Sequence, residues 1–106
     1  MPFTASTVQQ GTTALVTLDG ELDALTADAF RDEVDQVVAW ESERLVLDMT
    51  KLTYLSSAGL RALVFARQKM PDETRVVLVG VSDEVEQTIR LVGFHHSVTF
   101  SDTLPE

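Results

Sequence analysis

A chain of 106 residues, 44% hydrophobic and 24% charged, suffices for one globular domain spanning 1–106 and is too short for a second core. Its 17 acidic and 8 basic side chains give a net charge of −9, so neither nucleic acid nor an anionic membrane is expected as a partner. Without cysteine it has no disulfide, no thiolate nucleophile and no cysteine-ligated metal.

The opening residues, Met1-Pro2-Phe3-Thr4-Ala5-Ser6, lack the basic region and apolar run of a signal peptide, and no apolar stretch reaches membrane-spanning length. A soluble, cytoplasmic protein is the expectation. Phe3 to Gln9 suits a strand, Gln10-Gly11-Thr12 a turn and Ala14 to Leu18 a second strand, which predicts an opening hairpin. Asp19-Gly20-Glu21-Leu22-Asp23 breaks the pattern and reads as a short acidic loop. Thr26 stands where a helix N-cap belongs. Phe30, Val34, Val37 and Val38 then recur at helical spacing, with Asp28, Arg31, Asp32, Glu33 and Asp35 on the other face.

Arg44 to Met49 is nearly all apolar, as suits a strand covered on both faces inside a parallel sheet. Thr50 to Tyr54 reads as a loop, followed by a helix with Leu60, Leu63 and Val64 as its stripe and Lys69-Met70-Pro71-Asp72 as its end. Thr74 to Gly80 predicts another buried strand. Ser82 caps a third helix with Asp83 and Glu84 in its first turn, Val85, Ile89 and Val92 toward the core, and Gly93 just past its end. Val98-Thr99-Phe100 is a short strand candidate before a tail expected to fray. The order β-β-α-β-α-β-α-β predicts an α/β domain with a mixed, mostly parallel sheet packed with helices.

In such sheets, ligands and partners meet the loops at the carboxyl ends of the strands, beside helix N-termini. Asp19 to Asp23, Asp48 to Ser57 and Gly80 to Ser82 qualify. Ser57 reads as the N-cap of the second helix, at a terminus whose dipole welcomes an added anion. The run Ser56-Ser57-Ala58-Gly59 is uniformly small, and Gly59 offers bare backbone to an approaching protein. Phosphorylation of Ser57 adds about −1.5 to −2 charges where the helix tolerates them, which alters a docking surface without harming the fold.

Other chemistry has less support. Asp19, Glu21, Asp23 and Asp48 have the oxygens for a divalent cation, but acids in such loops are mostly solvated. Asp48 at a strand end also admits a receiver-like phosphorylated aspartate, although no lysine follows a later strand to assist it. His95 and His96 are adjacent without metal-ligand spacing, and no Gly-x-Ser-x-Gly elbow or phosphate-cradling glycine loop occurs. No enzyme activity, metal or cofactor is therefore expected. Trp40 and Tyr54 read as closing the rim of the core, with an exposed interface anchor as the alternative.

Gly20-Glu21-Leu22-Asp23 with Thr26-Ala27-Asp28, and Leu47-Asp48-Met49-Thr50 through Tyr54-Leu55-Ser56-Ser57-Ala58-Gly59-Leu60, resemble the signature stretches of the STAS domains. Within that family the likeness is to anti-sigma factor antagonists of the sporulation and stress-response type. The resemblance implies a partner switch: the unphosphorylated antagonist binds an anti-sigma factor that is also a serine kinase of the GHKL ATPase type, and so frees the sigma factor. Phosphorylation of the serine breaks the complex, and a serine phosphatase restores it. The resemblance places the acceptor at Ser57, the loop glycine at Gly59 and the strand-end acid at Asp23; Ser56, Ala58 and Leu60 complete the expected docking residues. The chain departs from the family pattern in having Ser56 where aspartate usually precedes the acceptor, and Ala58 where a second hydroxyl often follows. Ser56 is accordingly the alternative acceptor. A non-phosphorylated scaffold, stressosome-like or transporter-associated, is the alternative role.

Overall fold

The alternation of apolar and polar side chains in Thr4–Gln10 (β1) and Thr13–Leu22 (β2) produces an antiparallel pair running from Thr4 opposite Asp19 to Gln10 opposite Thr13. The computed structural model describes residues 3–104, and among these it contains β3 (Arg44–Leu55), β4 (Arg75–Val79) and β5 (Thr99–Ser101), with α1 (Ala27–Val38), α2 (Ser57–Lys69) and α3 (Asp83–Leu91) between them. The spatial order is β1-β2-β3-β4-β5, and every pair after the first is parallel. The mixed, mostly parallel α/β sheet read from the sequence is therefore the sheet observed. Pro105 and Glu106, the end of the tail expected to fray, lie outside the described residues.

Each parallel strand is added on the same side of the one before it, so right-handed crossovers carry all three helices to one face. The core follows from this. Val16 and Leu18 of β2, Leu45, Leu47 and Met49 of β3 and Leu78 of β4 meet Phe30 and Val34 of α1, Leu63 and Ala66 of α2, and Ile89 of α3 in one apolar cluster. The opposite face carries a smaller buried group, Val46, Val77 and Val79, with Leu15 against it. This explains why β3 and β4 read as apolar on both faces.

Four readings of the elements are corrected. Strand β2 continues to Leu22 instead of ending at Leu18, and β3 runs to Leu55 instead of Met49. Register shifts between Thr17 and Asp19, and between Gly20 and Glu21, keep the two strands paired as far as Leu22 opposite Leu55. These irregularities change the spacing of the buried residues of β3 from Leu47 and Met49 to Leu52 and Leu55, so the alternation that marks a strand disappears while the strand persists. Val92 caps the end of α3 and is exposed, leaving only Val85 and Ile89 of that helix buried. Finally, Phe94–His96 forms a single 3-10 turn, in which the rings of His95 and His96 lie 4.0 Å apart. Gly93 takes the left-handed conformation expected after α3.

Candidate functional site: the amino end of α2

Strand β3 ends beside β2, and the N–H of Ser56 donates to the carbonyl of Leu22 at 3.0 Å. Ser56 is extended, with φ −87 and ψ 175, and its Oγ accepts from the N–H of Gly59 at 3.1 Å. Its carbonyl accepts the first helical bond, from the N–H of Leu60 at 2.8 Å. These are the marks of an N-cap. The cap of α2 is therefore Ser56, and the assignment to Ser57 is corrected: Ser57 is the first residue inside the helix, exposed, and its hydroxyl has no hydrogen-bond partner among the described residues. Two adjacent serines satisfy a cap pattern equally well in sequence. The pairing of Ser56 with the end of β2 decides between them.

Gly59 also behaves differently from expectation. It is buried, and a Cβ added there would lie 2.9 Å from both the carbonyl carbon of Leu22 and Cδ1 of Leu55. The bare backbone thus admits the end of β2, not another protein. Leu60 is likewise turned into the core, at 8% exposure. Ser57 is exposed, and Ser56, Ala58 and Asp23 are half-buried, so these four are the expected docking residues that reach the surface.

Asp23 shapes the neighbouring loop. Its Oδ1 accepts from the N–H groups of Leu25 at 2.9 Å and Thr26 at 3.2 Å, while its own N–H donates to the hydroxyl of Thr26 at 2.9 Å. That hydroxyl donates in turn to the carbonyl of Glu21 at 2.8 Å. Thr26 occupies the cap position of α1 without capping it through its side chain, because its oxygen is engaged backwards on the loop. The tightened loop leaves Leu25 at 93% exposure. Tyr54, paired with Glu21 across β2 and β3, is half-exposed, whereas Trp40 packs partly buried against the core. Sequence reading missed Leu25; its signal was an apolar side chain placed after Asp23 and off the stripe of α1.

The remaining acids do not converge. Asp48 lies within β3, not at its end, and its Oδ1 accepts from the N–H of Thr50 at 3.1 Å and its hydroxyl at 2.7 Å. Among the described residues no group of three or more acids and histidines is placed to hold a metal ion. At the opposite end of the helices a cleft of about 860 Å3 is lined by Val38, Ser42, Met70 and Thr74 among others, away from the serines. No helix among the described residues is long and apolar enough to cross a membrane.

The RsfB protein of Mycobacterium tuberculosis, named an anti-sigma-F factor antagonist, is 26% identical over 102 residues, covering 96% of this chain and 84% of that protein. A crystal structure of an anti-sigma factor antagonist from Mycobacterium paratuberculosis superposes with a TM-score of 0.88 at 27% identity, over 97% of this chain and 88% of the other. SpoIIAA in its unphosphorylated form shares the fold at a TM-score of 0.74 and 17% identity, over 97% of this chain and 90% of its own. The model of the STAS domain matches residues 4–106, and with the mixed sheet, the capped α2 and these relatives in agreement, the chain belongs to the STAS domain family.

Proposed function

We propose that this chain is an anti-sigma factor antagonist that acts by binding, without an enzyme activity of its own, and that its docking face is the amino end of α2 with the β2 to α1 loop. The observation that carries the reading is the division between Ser56 and Ser57: Ser56 holds the helix cap, which leaves the exposed hydroxyl of Ser57 free of any structural duty. A kinase can take Ser57 without undoing the cap. The added phosphate sits at a helix start whose first turn has no acidic residue and whose leading N–H groups favour an anion. The fold therefore survives modification while the surface presented to a partner changes in charge and shape.

In this reading the partner is an anti-sigma factor of the GHKL kinase type, its binding frees a sigma factor, and a serine phosphatase reverses the modification. The names of RsfB and of the Mycobacterium paratuberculosis protein support the partner class. Leu25 and Tyr54 supply the apolar contacts that such a face otherwise lacks. The test is to incubate the protein with its native kinase and ATP and map the phosphate by mass spectrometry. Phosphate on Ser57 is expected; modification at Ser56 alone moves the acceptor, and modification at neither defeats the switch and favours a non-phosphorylated scaffold.

A further inference from the structure

Most cations near the helices are engaged. Arg31 pairs with Asp28 and lies over Phe65, Lys69 also lies over Phe65, Arg67 donates to the carbonyls of Pro71 and Thr74, and Arg90 pairs with Glu86. Arg61 is exposed on α2 and, among the described residues, has no hydrogen bond, ion pair or ring contact. It stands four residues after Ser57 in the same helix, hence on the same face. Helical side chains lean toward the amino end, which is the direction that brings an arginine at position 61 within reach of a group on Ser57. An anion four residues ahead of a cation is also the favourable order with respect to the helix dipole.

We propose that Arg61 is the intramolecular partner of a phosphoryl group on Ser57, closing on it as a charge-assisted pair over one turn of α2. The proposal rests on the reading of Ser57 as a modified serine. Its consequence is a double change: phosphorylation adds an anion to the docking face and withdraws a free arginine from it. Ser56 cannot use the same arrangement. It precedes Arg61 by five residues, which at 3.6 residues per turn is a different face, and its Oγ is turned to Gly59.

The test places phosphoserine genetically at position 57 and follows the second phosphate ionisation by phosphorus NMR. A nearby cation favours the dianion, so this ionisation is expected about half a unit lower with Arg61 than in Arg61→Gln, with most of the shift retained in Arg61→Lys. The Nε–H resonance of Arg61 is expected to move on phosphorylation. Phosphoserine placed at 56 is expected to titrate alike with and without Arg61. Superimposable curves for the position 57 proteins, or an equal Arg61 dependence at 56, would overturn the pair. Because the phosphoserine is encoded, the outcome does not depend on which serine a kinase selects, and kinase mapping that found neither serine modified would defeat the switch reading separately. Among the described residues Arg61 has no hydrogen bond, ion pair or ring contact for its replacement to break, and matched thermal unfolding of the unmodified proteins is expected.

Discussion

At the start of α2 the Oγ of Ser56 accepts from Gly59, and the neighbouring hydroxyl of Ser57 is exposed and, among the described residues, unbonded. Ser56→Ala is therefore expected to lower stability by about 1 kcal/mol in urea unfolding, whereas Ser57→Ala stays within about 0.5 kcal/mol. The reverse ranking would return the cap to Ser57. Gly59 gives a test of sign. In an exposed helix, glycine to alanine stabilises by about 0.5–1 kcal/mol. Here the new Cβ meets the backbone of Leu22, and Gly59→Ala is expected to destabilise by about 1–3 kcal/mol, read from the same unfolding curves. The sequence made this region conspicuous through its run of small residues, but packing against a strand 37 positions earlier, between Leu22 and Gly59, has no local signature. That is why local pattern alone makes the glycine look open and sets the cap one residue late.

Among the elements, α1, α2, α3 and β4 were legible because their apolar spacing is regular and their ends carry breakers or caps. The far halves of β2 and β3 were not, since register shifts break the period of two that identifies a strand. Leu22, Leu52 and Leu55 are buried all the same. The exit of β4 is held against this irregular part of β3: Gly80 has φ +68, and a Cβ there would lie 3.1 Å from the Cα of Thr50. Gly80→Ala is expected to destabilise by about 2–4 kcal/mol, since left-handed strain and overpacking act together. A thermal midpoint unchanged from the unsubstituted protein would show that the β4 to α3 connection does not pass so close to β3.

For the molecule as a whole, pH is a stability variable as well as charge. The pKa of His95 is lowered from 6.5 by burial first, then by the neighbouring charges of His96 and Arg90, and its Nδ1 is buried without a hydrogen-bond partner among the described residues. With the folded value below the unfolded one, the unfolded chain binds more protons as pH falls past 6.5. Stability from this residue is present above that pH and is lost as pH falls toward and through the folded pKa. Thermal midpoints measured from about pH 7.5 to about pH 5 are expected to fall less steeply in His95→Asn than in the parent chain. The histidines drew attention in the sequence only as poor metal ligands; their mutual proximity depends on the 3-10 turn after α3, which no periodicity announces.

Strand β3 pairs with β4 only as far as Asp48, yet it stays paired with β2 to Leu55. Over those seven residues β3 has β2 alone as its neighbour in the sheet, and the pair carries the chain to the amino end of α2. The proposed docking face, the exposed residues within 19–25 and 50–61, therefore rests on the same core as the sheet, through the buried Leu22, Leu52, Leu55 and Leu60. Exposed positions such as Leu25, Tyr54 and Ser57 can vary there without touching the core, whereas exchanging the whole segments would also replace the buried Leu22, Leu52, Leu55 and Leu60.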